Sequence, residues 1–495
     1  MPTARRAFST LFILMVLVMT ACEPQATLSS VPATQQPAAL APTATFPAIT
    51  PLPTRPQYQP GELVDYTVQT GDTLAALAAR FNTTVDKIRA ANPILPAVVT
   101  TLPPGMPMKI PIYYQPFWGS SYQILPDTLF ADGPAQTGFD TAAFISSQPG
   151  WLKNYQEFAF GSTRTAAEII DYVAINYSVS PRLLLALMDY QNGALTQPVE
   201  APEFKDYPLG DLDYHNAGLF MQLSWAADFL NDKFYAYRLG MLTSFDHLDK
   251  TIERPDPWQN AATVAIQVYF ANLYQTPEYK KATGPNGVAR TYRDLFGDPW
   301  KVKNDIVPGS LAQPTLQLPY PLGKTWVLTG GPHGGWGEDL PYAALDFAPP
   351  LNASGGCIPT NEWALAVGDG VVVRVDTGVA VLDLDGDGNE RTGWDILYLH
   401  LATDGKVKLG QKVKAGDPMG HPSCEGGHAT GTHVHLARKY NGEWVPAGNG
   451  PLPFTLDGWV AADGSAPYLG TLAKGGKVVR ACTCSDAASF VLAGP

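Results

Sequence analysis

The stretch Gly431-Thr432-His433-Val434-His435-Leu436, GTHVHL, places two histidines two residues apart in an apolar run. Side chains of a β-strand alternate faces, so residues i and i+2 point to one side and their imidazoles converge. Such a pair suits a metal ion with a base beside it. An isolated H-x-H is as readily two surface histidines on a strand, so the surroundings decide. Six of the eight histidines fall between His333 and His435, in a region of short β-branched runs punctuated by glycine: WALAVGDGVVVRVD, VAVLDLDGDG, WDILYLHLA, KVKLGQKVKAGDPMGH and GTHVHLARK. That grammar predicts an antiparallel β-sheet.

Together with TGGPH and YAALDFA upstream, these blocks stand in the order found in the M23 family of zinc metallopeptidases, the lysostaphin and β-lytic enzymes of bacterial cell walls. The segment from about Leu318 to Val445 resembles that family. Most members carry a first ligand pair H-x-x-x-D, but here Tyr342 stands four residues before Asp346 and cannot serve. His333 lies thirteen positions upstream, a longer spacing that resembles the β-lytic and staphylolytic branch, where a loop delivers the histidine. A catalytic zinc takes three N or O ligands and keeps one position open; His333, Asp346 and His435 are expected to supply them. The resemblance implies His433 as general base and His400, in YLHLA, as stabiliser of an oxyanion. His421 and His428, in the glycine-rich GHPSCEGGHATG, read as surface or packing residues.

Two further features accompany this segment. In DLDGDGNERTGWD, Asp383, Asp385 and Asp387 alternate and Gly388 holds position six, as in the first half of an EF-hand loop. Position twelve is Trp394, with Asp395 next to it, which excludes a full EF-hand. A structural calcium loop including Asp395 and a solvated acidic turn both remain open. Cys357 and Cys424 flank the site segments and are candidates for a disulfide that clamps the loops. Cys482 and Cys484 are expected to bridge less readily, because strand alternation would hold them near the upper limit for a bond.

At 495 residues the chain is long enough for about three domains. Residues 1–21 carry Arg5-Arg6, the apolar run AFSTLFILMVLVM and small residues before Cys22, which reads as an export signal. VMTAC resembles a bacterial lipoprotein box, with Cys22 as the lipidated residue and the membrane as partner. Residues 22–62, rich in Pro, Ala, Thr and Gln, read as a disordered tether. The formal net charge of −12 disfavours nucleic acid and anionic surfaces as partners.

Residues 63–113 contain YTVQTGDTLAALAARFNTTVDKIRAANPIL and a strand ending at Ile112, in the order βααβ. This segment resembles a LysM domain, which implies binding of N-acetylglucosamine-containing glycans such as peptidoglycan. Residues 138–302 change to amphipathic helices, among them SPRLLLALMDYQNG and NAGLFMQLSWAADFLNDKFYAYRLG. They are similar to the lysozyme-like domain of lytic transglycosylases, but Gln191 stands where that family carries its catalytic Glu. An amide has no proton to give a glycosidic oxygen, and Asp189, two residues away, lies on another side of the helix; Glu200 and Glu203 are the other acids nearby. This domain is therefore expected to bind glycan or act as a spacer.

The fold expected is a multidomain α+β chain: a βααβ LysM module, a mostly α lysozyme-like domain, an antiparallel metallopeptidase domain over 316–450, and an extension over 451–495. The function expected is zinc-dependent hydrolysis of peptide bonds in peptidoglycan by an exported, lipid-anchored or secreted envelope protein. The alternatives are a non-catalytic peptidoglycan-binding lipoprotein and an activator of a partner amidase.

Overall fold

The computed structural model describes residues 55–302, 306–350, 355–448, 450–484 and 486–494. The expected signal segment, Cys22 and most of the tether lie outside the described residues. Among the described residues no helix is long and apolar enough to cross a membrane.

The first module has the expected βααβ order. Strands β1 (Glu62–Thr67) and β2 (Pro107–Ile112) pair antiparallel, and helices α1 (Leu74–Arg80) and α2 (Val85–Ala91) connect them. Thr73 and Thr84 cap these helices, each side chain accepting the amide of the residue three positions on. Leu74, Leu77, Ala78, Phe81 and Ile88 are buried against Ile110 and Ile112, the periodicity read from the sequence.

The middle segment holds α3 (Thr141–Ser147), the hairpin β3 (Gln156–Ala159) and β4 (Ser162–Thr165), α4 (Ala166–Tyr177), α5 (Pro181–Asn192) and α6 (Leu219–Arg238). The short pair β5 (Phe245–Asp246) and β6 (Ile252–Glu253), then α7 (Ala261–Leu273), α8 (Thr276–Ala282) and α9 (Val288–Phe296), complete it. Local chemistry sets the ends of α5: Ser180 accepts from the Leu183 amide, Pro181 opens the first turn, and Gly193 closes the helix at φ +66°.

The sheet segment runs β7 (Thr325–His333), β8 (Ala344–Ala348), β9 (Ala364–Leu365), β10 (Gly370–Asp376), β11 (Val379–Asp383), β12 (Trp394–Leu399) and β13 (Lys412–Val413). It continues through β14 (Pro418–Gly420), β15 (Val434–Tyr440), β16 (Glu443–Trp444), β17 (Thr455–Leu456), β18 (Trp459–Ala462), β19 (Thr471–Lys474), β20 (Lys477–Arg480) and β21 (Phe490–Leu492). The main antiparallel sheet has the order β13-β10-β11-β12-β15-β8-β7-β21, with β16 paired to β15. The expected extension past residue 450 is not a separate appendage. It supplies edge strand β21 and the four-stranded sheet β17–β20.

Alternation along the central strands divides the apolar residues between two cores. Ala380, Leu382, Ile396, Tyr398, Val434 and Leu436 point into the sheet segment's own core. Val379, Val381, Leu397, Leu399 and Ala437 point the other way, into the core of the helical segment. The sheet therefore reads as continuous apolar runs because both faces are covered.

Arg238 joins all three parts. Its buried guanidinium lies 3.3 Å from Asp127 Oδ2 and 3.0 Å from Glu443 Oε1. A Cβ on Gly71, at φ +75° in the first module, would fall 1.2 Å from Arg238 Nη1, so only glycine lets that turn approach. Arg238→Met should leave two buried acids without their partner and lower stability by about 3–5 kcal/mol. Chemical denaturation of the full chain reads this, and an unchanged midpoint would contradict it.

Candidate active site

Asp346 of β8 stands directly opposite His435 of β15, and Gly330 of β7 faces it from the other side. A Cβ on Gly330 would lie 2.4 Å from Asp346 Oδ2, so the glycine makes room for the carboxylate. The register of β7 against β8 slips between Gly330 and His333. Such an irregularity re-aims a side chain, and His333 reaches the same point as Asp346 and His435. The expectation that a loop delivers this histidine is corrected here: His333 is the last residue of β7, held by its pairing with Ala344, and the connection 334–343 begins after it.

Three buried ligand atoms meet. His333 Nε2 is 3.0 Å from His435 Nδ1, and each lies 3.3 Å from Asp346 Oδ1. Zinc bonds of about 2.0–2.2 Å to N and O donors make the edges of a tetrahedron about 3.3–3.5 Å, so the triangle fits that ion with little adjustment. The tautomers fit as well. His333 Nδ1–H donates to Gly331 O at 2.8 Å and His435 Nε2–H donates to Gly335 O at 3.1 Å. Each ring thus turns its lone pair to the centre. Burial alone would raise the Asp346 carboxyl, but the facing His333 and His433 rings, when protonated, outweigh it and hold the group well below the usual carboxylate range. Burial pushes His435 down, so it stays neutral, as a ligand must.

His433 precedes β15 in extended conformation, and its Nε2 lies 3.6 Å from Asp346 Oδ1, on the side that His435 occupies. Its Nδ1–H donates to Gly431 O at 2.7 Å, leaving Nε2 bare. His400 follows β12 at φ +65°, 4.5 Å from the His433 ring by centroids, and its Nδ1–H donates to Glu425 O at 2.9 Å. Burial, with His433 and His435 nearby, pushes His400 down to about 3. Neutral His400 therefore presents an acceptor at Nε2; it donates there only after taking up a second proton.

The cleft over these residues measures about 620 Å³ and is also lined by Tyr177, Trp336 and Tyr468. None of these was legible in the sequence. Tyr468 stacks on His333 with centroids 4.1 Å apart, from a turn far down the chain whose carbonyl accepts the Gly331 amide. Asp228 of α6 packs on the connection after His333, where a Cβ on Gly337 would fall 2.2 Å from its Oδ1. A helical side chain thus braces the loop that carries Gly335 O.

The other candidates fall as follows. Tyr342 packs against the helical core, outside the trio. His421 donates to Glu362 O and lies over Trp363, while His428 is exposed at the cleft. Cys357 and Cys424 are bridged. Cys482 and Cys484 are bridged too, against expectation: β20 ends at Arg480 and the chain bends, bringing the two Cα atoms to 5.1 Å. Asp383, Asp385 and Asp387 form a second cluster of carboxylates. Gln191 is buried, donating to Leu209 O at 2.8 Å and accepting from Tyr269 at 2.9 Å, and Asp189 accepts the amides of Leu195 and Thr196. Glu200 is half-buried.

Two outcomes follow for measurement. His333→Ala should lose most bound zinc while Tyr342→Phe keeps it; elemental analysis of both proteins decides the first ligand. The second concerns Asp228, which burial and then Asp339 push up to about 7. The folded chain holds this proton where the unfolded chain releases it near pH 4, so its contribution, full below about pH 4, is lost as pH rises toward 7. Asp228→Asn should flatten that part of the melting profile, and an unchanged slope would refute the assignment.

A family model described as "LasA, N-terminal domain" matches residues 123–309, and one described as "LysM domain" matches residues 66–111. Protease LasA of Pseudomonas aeruginosa is 24% identical over 342 residues, covering 65% of this chain and 74% of that protein. The β-lytic metalloendopeptidase of Lysobacter enzymogenes is 28% identical over 137 residues, 26% of this chain and 71% of that one. Among solved structures, the M23 metalloprotease pseudoalterin from the deep sea is 24% identical, covers 34% of this chain and 96% of its own, and superposes with a TM-score of 0.28. The chain carries a LysM domain and is related to the M23 metallopeptidases of the LasA and β-lytic kind.

Proposed function

We propose that this protein is an exported zinc endopeptidase that hydrolyses peptide bonds in bacterial peptidoglycan, held at the wall by its LysM domain and at the membrane by a lipid on Cys22. The observation that carries the reading is the triangle of His333 Nε2, His435 Nδ1 and Asp346 Oδ1 with the bare Nε2 of His433 beside it. An activator of a partner amidase would have no use for an intact ligand set.

Zinc, when bound, supplies Lewis acidity that polarises a carbonyl and makes water easier to ionise. The rest falls to side chains. His433 Nε2 accepts the proton of the attacking water, and its Nδ1–H bond to Gly431 O steadies the imidazolium that results. His400 stands next to it as the expected stabiliser of the oxyanion, a role that needs a proton on Nε2 in place of the lone pair that the Nδ1–H bond to Glu425 O leaves there. Tyr468 holds His333 by stacking, which limits the motion of the first ligand.

Digestion of purified peptidoglycan by the full chain, followed by mass spectrometry, should show new amine termini on wall peptides and no new reducing or anhydro sugar ends, since Gln191 offers no acid. His433→Ala should keep zinc and lose about 10²-fold or more of this hydrolysis. Sugar-end products from the wild type, or full hydrolysis by His433→Ala, would overturn the reading.

A further inference from the structure

The turn between β11 and β12 gathers carboxylates away from the zinc site. Asp383 Oδ1 accepts the amides of Asp385 and Gly386 at 3.0 and 2.9 Å, and its Oδ2 accepts that of Gly388 at 2.8 Å. The chain so wraps around Asp383 that one oxygen each of Asp383, Asp385 and Asp387 lies within 4.8 Å of the others. The Asp385 carboxylate leans over Gly393, where a Cβ would come within 1.7 Å of Oδ2.

Asp395 separates this turn from an ordinary acidic loop. It pairs directly opposite Asp383, so both side chains leave the same face of the sheet. It is fully buried, and neither carboxylate oxygen has a hydrogen-bond partner. Its neighbour on the other side, Lys439, places its ammonium 3.3 Å from Glu390. A buried carboxylate without hydrogen-bond donors, facing Asp383 across the two strands at the base of the acidic turn, is costly unless a cation joins them.

We infer that Asp383, Asp385, Asp387 and Asp395 bind one calcium ion, and that this ion fixes the clasp through which the sheet segment grips the helical segment. The donors are all oxygens on an irregular turn, which suits the flexible six- to eight-fold shell of calcium better than the strict octahedron of magnesium. The clasp lies within the same turn. Asn389 Nδ2 donates to Thr137 Oγ1 at 3.2 Å, and Arg391 Nε bonds Asp132 Oδ1 at 2.7 Å. Residues 389 and 391 hold their positions only if the turn that presents them is ordered, and the ion orders it by drawing together carboxylates that otherwise repel. This inference does not rest on the peptidase reading.

The test uses the full chain, stripped of metal and reloaded with one equivalent of zinc, then titrated with calcium chloride by calorimetry. One calcium site is expected. Asp385→Asn and Asp395→Asn should each weaken it about tenfold or more, as the affinity of such sites follows the number of charged ligands. The exposed Asp387→Asn serves should Asp395→Asn fail to fold. Calcium should also raise the melting temperature and slow proteolysis between the helical and sheet segments. Arg391→Ala should keep calcium binding and lose the protection. No calcium binding in the wild type, equal affinity in the Asp385 and Asp387 variants, or equal affinity for magnesium would overturn the site. Protection that persists in Arg391→Ala would overturn the clasp. Zinc content and wall hydrolysis are read separately, so either proposal can fail alone.

Discussion

The constraint on which the rest of this structure depends is that its central sheet has no free face. Period-two alternation sends Leu382, Ile396 and Leu436 to one side and Val381, Leu397 and Ala437 to the other, and the second side is closed by the helical segment. His435 lies two residues before Ala437 on β15, and so shares that second face. The triangle of His333, Asp346 and His435 is therefore built on the surface that the helices cover, and Tyr177 and the Asp228-braced loop at its edge are consequences of that packing. A sheet with one solvated face would hold the same three side chains, but it would leave Gly335 O on an unsupported loop.

Electrostatics fastens the parts that hydrophobic packing brings together. At Arg238, one buried guanidinium neutralises Asp127 of the helical segment and Glu443 of the sheet segment. Burial still pushes Glu443 up to about 7 in spite of Arg238, so the cation offsets only part of the cost of dehydrating two acids. Arg80 plays the matching part in the first module, with Asp72 at 2.8 Å and its guanidinium 4.1 Å over the Tyr237 ring, one residue before Arg238. Adjacent residues at the end of α6 thus anchor the LysM module from one side and the sheet from the other.

What was legible in the sequence was local in origin. The spacing of His433 and His435 encodes a shared face whether or not β15 has formally begun, and both rings do reach Asp346. Ser180, Pro181 and Gly193 mark the ends of α5 because capping depends on neighbours in the chain. Features that arise from pairing between distant strands were not legible. The slip that aims His333, the stacking of Tyr468 on it, and the return of Phe490–Leu492 to the sheet edge have no periodicity to announce them. The bridge between Cys482 and Cys484 has the same origin: β20 ends at Arg480, two residues earlier, so strand alternation does not set the distance between them.

The site also shows how backbone carbonyls set side-chain chemistry. His333, His435, His433 and His400 each donate one ring N–H to a carbonyl, of Gly331, Gly335, Gly431 and Glu425. Those four acceptors decide which nitrogen of each ring is bare, and hence which can bind a metal or take a proton. Two of the four sit on segments joined by the disulfide between Cys357 and Cys424. Gly356, beside Cys357, exchanges hydrogen bonds with Thr430 and Thr432, on either side of Gly431, and Glu425 follows Cys424. The bridge touches no ligand. It holds the loops whose carbonyls fix the tautomers of His433 and His400, so a covalent link outside the cleft governs which atoms the two imidazoles present within it.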